Sequence, residues 1–218
     1  MTSEPTALSN LLNRGATNTS TASETTVERI LDAAVAEAAA VGLDRVRMED
    51  VVRRSNLGRT TVYRRFPSRD DLVRALVARE TQRFLDAVAA GMHGVERPSD
   101  RVVEAFLAAV AFARSHPMLR RIAETSPGSV LELANNPDSE FLGTGTAFIA
   151  RHLHGERPGR PSREARWVAD VFARLFLTYL ALPPSDPDVR NETELRTFAR
   201  AVLIPMAERV APIKPPST

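Results

Sequence analysis

Between Met48 and Arg69 the chain reads MEDVVRRSNLGRTTVYRRFPSR, and this stretch leaves few folds open. Met48, Val51 and Val52 form one short apolar set. Ser55-Asn56-Leu57-Gly58 is turn chemistry, and Arg59 to Arg65 is a second short helical segment closed by Phe66-Pro67. Asn56 takes the left-handed conformation that ends a helix at little cost, and Leu57 and Val62 are placed to plug the angle between two helices. Arg53, Arg54, Arg59, Arg64, Arg65 and Arg69 are all positive, and no Asp or Glu lies between Val51 and Arg69. An arginine run alone is usually a solvated helix face. Here it comes with a short turn, an apolar plug and hydroxyls at the start of the second helix. That combination suits duplex DNA: phosphates supply affinity, and the second helix enters the major groove.

The flanks support the same arrangement. Thr25 and Glu28 form a capping box, after which Val27, Ile30, Leu31, Ala34, Val35 and Ala38 recur on one helical face until Gly42 stops it. Residues 1–24 are rich in Ser, Thr, Asn and Ala without periodicity and read as a disordered tail. The DNA-binding domain is therefore expected over 25–72. Ser68 and Asp71 resemble a second capping box, opening a helix through Leu72, Leu76, Val77, Phe84, Leu85 and Val88 towards Gly91.

Position assigns roles. Arg59, Thr60 and Thr61 begin the second helix, where side chains reach base edges; Arg59 suits a guanine and the threonines a thymine methyl or a phosphate. Arg64 and Arg65 suit phosphate clamps, which position without specifying.

Residues 25–75 resemble the N-terminal domain of the TetR family of transcriptional regulators. The resemblance rests on Gly42-Leu43 after the first helix, the helix-turn-helix, and then Tyr63, Phe66, Ser68, Arg69, Asp70 and Leu72. It implies an all-α protein: an N-terminal three-helix DNA-binding domain followed by a C-terminal helical bundle. It also implies a Tyr63 hydroxyl facing a phosphate and Arg69 touching the DNA backbone. Two departures stand out: Arg47 and Gly58 occupy cap positions where the family often has Ser or Thr. Arg47 joins the candidate DNA contacts. Gly58 costs only a few tenths of a kcal/mol as a cap, but it removes a hydroxyl that could meet a phosphate.

With 218 residues, 43% of them hydrophobic, the chain is long enough to bury a real core. The net charge is only +2, so DNA binding must rest on the local patch. Lys214 is the only lysine; arginine supplies the rest of the positive charge and suits bidentate contacts. With no cysteine there is no disulfide framework or thiolate metal site. No apolar run reaches membrane-spanning length, and a cytoplasmic location is expected. His152 and His154 are two apart and point to different sides of a helix, so no metal is expected. No phosphate loop, nucleophile elbow or zinc signature appears, and neither a cofactor nor an enzymatic role is expected.

Residues 73–211 read as helices throughout, broken at His116-Pro117, Ser126-Pro127-Gly128, Asn136-Pro137, 155–162 and 183–188, with 212–218 a second disordered tail. The resemblance implies that 162–182 and 191–210 pair with a second subunit as a homodimer. Phe172, Phe176, Tyr179, Phe198 and Val202 are the candidate seam. The helices before them would enclose a small apolar effector, with Phe84, Phe106, Val110, Phe148 and Trp167 as candidate lining and Arg83 or Arg114 as polar contacts. The expected function is a homodimeric repressor released from a palindromic operator on double-stranded DNA by that effector. The alternative is a DNA-binding regulator with no effector, its bundle serving dimerisation or a protein partner.

Overall fold

The computed structural model describes residues 7–125, 127–128, 132, 141–155 and 157–210, with side chains from residue 24 onward. Every element among them is helical. α1 (Ala7–Val41) begins well before the Thr25–Glu28 capping box, so the segment expected as a disordered tail is helical from Ala7. No proline stands between Pro5 and Pro67, and Gly15 is the only glycine before Gly42, so nothing obliges the helix to start at Thr25. Its packing does start there: Ile30, Leu31, Ala34 and Ala38 are buried along one face.

Gly42, at φ 93°, ends α1 in a conformation that L side chains rarely adopt. A 3-10 turn (Leu43–Arg45) leads into α2 (Met48–Ser55), which stops at Asn56 with φ 51° and ψ 39°. α3 (Arg59–Arg65) follows, with Val51 and Val62 fully buried in the angle and Leu57 packed against them. Neither Arg47 nor Gly58 makes a side-chain cap, as their chemistry foretells. Ser68 does: its Oγ accepts from the Asp71 amide at 3.1 Å and donates to the Asp71 carboxylate at 2.6 Å, opening α4 (Arg69–Gly91).

α4 carries the chain into the bundle. α5 (Pro98–Ser115) starts with Pro98 in its first turn, where the missing N–H costs nothing. Then come α6 (Pro117–Thr125) and α7 (Phe141–His154). The second short helix expected before Ala134 falls largely outside the described residues, and the Asn136-Pro137 start wholly so. α8 (Arg163–Ala181) is capped by Ser162. Asn191 caps α9 (Glu192–Phe198), which widens into a π turn (Ala199–Leu203) before α10 (Ile204–Glu208). The distortion expected at Pro205 is therefore a widened turn just before it, because proline has no N–H and its ring crowds the preceding turn.

One apolar cluster joins Ile30, Val51, Val62, Leu72 and Leu76 to Met118 and Ile122 of α6 and Leu177 and Leu180 of α8. The DNA-binding end thus shares its core with the bundle, and the expected boundary at 72–73 falls inside α4. At the far end of α4, Gly91 lies so close to α5 that a Cβ there would come within 2.7 Å of the Ala108 Cβ.

Candidate nucleic-acid interface and effector cavity

Arg47, Arg59, Thr60, Arg64 and Arg65 are exposed, and Thr61 is half-buried. Among the described residues no ion pair engages Arg47, Arg64 or Arg65, so those guanidiniums are available to an external anion. Three other arginines of the stretch are engaged within the protein. Arg54 converges on the buried Glu37 of α1, its Nε and Nη2 donating to Oε2 at 3.0 and 2.9 Å. Arg53 pairs with Asp50 at 2.7 Å. Arg69, expected at the DNA backbone, donates instead to the carbonyls of Val46, Leu43 and Asp44 at 3.0–3.1 Å. It ties the 3-10 turn to the start of α4, because that turn leaves its carbonyls facing the first turn of α4. Arg29 of α1 likewise closes the end of α2 by donating to the Ser55 carbonyl at 3.0 Å.

An acidic residue in the first turn of α2 also belongs to this face. Glu49 accepts from the Tyr63 hydroxyl at 2.9 Å and lies 3.7 Å from Arg59, whose guanidinium sits 5.0 Å from the Tyr63 ring centroid. Its own backbone amide, then the Tyr63 hydroxyl, hold the Glu49 carboxyl below the usual carboxylate range; the same hydrogen bond pushes the Tyr63 phenol up. The Tyr63 hydroxyl, expected at a phosphate, thus donates to Glu49. The i, i+14 spacing gives no local sequence cue for that pairing.

Behind the interface, α4, α5, α7 and α8 enclose a cavity of about 490 Å³. Phe84, Phe106 and Phe148 line it, as expected, together with Phe172 and Phe176. Val110 and Trp167 do not. Val110 is buried with Val103 and Leu107 against Leu195 and Leu203, because α9 and the π turn cover that side of α5. Trp167 is 56% exposed, with Arg163 over its ring at 4.9 Å. Arg83 and Arg114 also lie elsewhere: Arg83 pairs with Glu28, and Arg114 donates to the Val189 carbonyl.

The candidate seam divides in the same way. Phe172 and Phe176 face the subunit's own cavity, and Tyr179 and Phe198 pack on Phe106 with centroids 6.4 and 5.7 Å away. Only Val202 of that set is exposed. The large exposed hydrophobics are Trp167, Val171, Leu182 and Val202, all on or just after α8 or in the π turn. The reason lies in α8, whose Ala165, Ala169 and Ala173 ridge is buried, with Ala150 and Leu153 of α7 packed against Ala169. That docking turns the aromatic face inward and leaves Trp167 and Val171 outside.

A continuous set of contacts leads from the cavity wall to α1. Phe84 stacks on Phe176 at 4.8 Å and meets Phe112 edge-on at 5.6 Å; Phe112 stacks on His116 at 5.2 Å. His116 Nε2 lies 3.0 Å from the buried Glu80, which also accepts from Arg79 at 2.7 Å. Arg79 in turn reaches Glu28 and Asp32 of α1 at 3.0 and 2.9 Å. Burial alone would raise the Glu80 carboxyl, but the His116 and Arg79 hydrogen bonds overcome it and leave it below the usual range.

Among the described residues no cluster of three or more His, Asp or Glu could hold a metal, and no single helix is long and apolar enough to cross a membrane. His154 is buried with neither ring nitrogen hydrogen-bonded.

A two-helix unit with an exposed arginine-rich second helix, carried on an all-helical bundle, defines a helix-turn-helix transcriptional regulator. Residues 30–76 match the model for bacterial regulatory proteins of the tetR family. The HTH-type transcriptional regulator Rv1255c of Mycobacterium tuberculosis, itself uncharacterised, is 28% identical over 84% of this chain and 86% of its own length. The HTH-type regulator AlkX of the same organism is 24% identical over 78% of this chain and 80% of its own. The solved TetR family repressor AlkX from a Dietzia strain, implicated in biodegradation of n-alkanes, superposes with a TM-score of 0.59 at 19% identity. That superposition covers 84% of this chain and 95% of the other. The match over residues 30–76 and the likeness to these HTH-type regulators support a TetR family transcriptional regulator.

Proposed function

We propose that this regulator is a homodimeric repressor that binds a palindromic operator through α3 and is released when a small apolar effector fills the cavity. The observation that carries this reading is the shared helix: α4 is pinned to the DNA-binding end by Arg69 and Leu72 and lines the cavity with Thr81, Phe84, Leu85 and Val88. A ligand that displaces Phe84 moves the same helix that sets the position of α3. Arg59, Thr60 and Thr61 read base edges, while Arg47, Arg64 and Arg65 hold phosphates. Tyr63 meets a phosphate once DNA draws it from Glu49.

Trp167, Val171 and Val202 form the centre of the dimer face, in place of the inward-facing phenylalanines. Trp167 and Val171 stand one turn apart on α8, so their exposed side chains share one face of that helix, and pairing two α3 helices about one DNA turn apart, ~34 Å, suits a palindrome. The Phe84–Phe112–His116–Glu80–Arg79 contacts give the cavity a second route to α1. Coupling of this sort is typically ~1–3 kcal/mol.

Selection of bound sequences from a random duplex library at physiological salt tests the reading. A palindromic consensus with half-sites one turn apart is expected. Recovery of sequences no different from the input library would overturn it.

A further inference from the structure

Arg59 and Tyr63 stand one turn apart on α3, so their side chains share a face of that helix. Glu49, in the first turn of α2, meets both. The Tyr63 hydroxyl donates to Glu49 Oε1 at 2.9 Å, and an Arg59 terminal nitrogen lies 3.7 Å from the same oxygen. The Arg59 guanidinium sits 5.0 Å from the Tyr63 ring centroid, which closes a triangle of three side chains. The carboxylate belongs to α2 and the groups it holds to α3. Val51 and Val62, fully buried between the two helices, fix the angle that brings them together.

Two kinds of DNA contact are open to Arg59. A guanine edge takes both ends of the guanidinium fork in one place and one orientation, whereas phosphates recur along every duplex whatever its sequence. Only the first carries sequence information. At 3.7 Å, Arg59 and Glu49 form an ion pair without a hydrogen bond, and both side chains are exposed. A pair of that kind shifts a population by no more than about five-fold. That is too little to oppose a bidentate guanine contact, worth roughly ten-fold or more, but it competes with a single phosphate contact weakened by salt. The same carboxylate engages the Tyr63 hydroxyl, so two groups of α3 that could grip any backbone are held by one acid.

We propose that Glu49 is a specificity-determining residue: it withholds Arg59 from the phosphates of unrelated DNA and gives it up where a guanine edge takes its place. This rests on the reading of Arg59 as a base contact and deepens it, since Glu49 acts through Arg59. Removing the carboxylate then has two effects. Loss of a negative charge beside the DNA tightens every duplex alike. Release of Arg59 adds a phosphate contact on unrelated duplexes only, because on the operator the guanine already engages it.

The test measures full-length wild type, Glu49→Ala, Arg59→Ala and the double variant by fluorescence anisotropy, on the duplex selected from the random library and on a scrambled duplex, at two salt concentrations. Glu49→Ala is expected to tighten the operator roughly two-fold and the scrambled duplex roughly six-fold, so that the ratio of the two affinities falls roughly three-fold. Its salt slope on the scrambled duplex should rise by about 0.9 more than on the operator, the mark of one added phosphate contact. With Arg59 already replaced, Glu49→Ala should shift both duplexes alike. Glu49→Gln keeps an oxygen for the Tyr63 hydroxyl and drops the charge facing Arg59; it should lower the ratio as Glu49→Ala does, and it serves in its place if that variant does not fold. A ratio unchanged in both Glu49 variants, or a fall of the same size in the Arg59→Ala background, would overturn the proposal while leaving Arg59 as a base contact. An Arg59→Ala protein with the wild-type ratio would overturn base reading by Arg59 itself, and the proposal with it.

Discussion

Replacing Arg54 by alanine is expected to damage the fold, although a sequence reading would count it among the DNA-facing arginines. Glu37 is only 4% exposed, and both of its hydrogen bonds from Arg54 end on Oε2. Removing one partner of a fully buried pair costs ~3–5 kcal/mol, because the remaining charge is left uncompensated. Arg54's own side chain is 43% exposed, so water can reach the vacated oxygen; a cost of ~2 kcal/mol is the appropriate scale. For a chain of this size that corresponds to a fall in Tm of roughly 4–8 °C. Arg65→Ala, which removes an exposed arginine without an ion pair, should leave Tm within about 1 °C. It should weaken all duplexes alike and reduce the salt slope of binding by about 0.9. Circular-dichroism melts and fluorescence anisotropy on a duplex at two salt concentrations measure both. Adding Glu37→Gln to Arg54→Ala should recover part of the lost Tm by removing the stranded charge. An Arg54→Ala protein that melts like wild type, and loses DNA affinity as Arg65→Ala does, would refute the assignment.

Glu49→Ala should free Arg59 and Tyr63 and remove a negative charge from a phosphate-facing surface, so binding to any duplex should tighten by a few-fold, read by anisotropy. Glu80 holds a lowered carboxyl pKa, so its stabilising contribution is present above the unfolded value of ~4.3 and is lost as pH falls through the folded one. Glu80→Gln should therefore lower Tm at pH 7 and flatten the acid limb of the Tm–pH curve; Arg79, Arg83 and His116 are the charged or titratable groups facing it. Gly91→Ala should push α4 from α5 at Ala108 and lower Tm by several degrees, despite alanine's better helix propensity.

How much of this was readable beforehand follows from the range of the interactions. The helix-turn-helix was legible because its determinants are local: a left-handed Asn56, the Leu57 and Val62 plug, and the Ser68 cap all act within a few residues. The division of labour among the arginines was not. Arg54 finds Glu37 and Arg69 finds the Leu43–Val46 carbonyls only once α1 and α4 have packed, and no spacing rule announces either. In the bundle, the aromatic content of α8 was plain, but three of its faces carry apolar residues. Docking of α7 on the alanine ridge decides which face turns inward, so Phe172 and Phe176 exchange places with Trp167. The long reach of α1 went unseen because absence of a breaker is a weaker signal than presence of a cap. The perturbation at Pro205 was foreseeable, its form as a π turn less so.

The most direct measurement compares wild type, Arg59→Ala and Arg65→Ala on the selected operator and on a scrambled duplex at one fixed salt concentration. If the start of α3 reads bases and its end holds phosphates, Arg59→Ala lowers the ratio of operator to scrambled affinity by roughly ten-fold or more. Arg65→Ala lowers both affinities and leaves the ratio unchanged. Equal losses on both duplexes for both variants would contradict base reading by the start of α3.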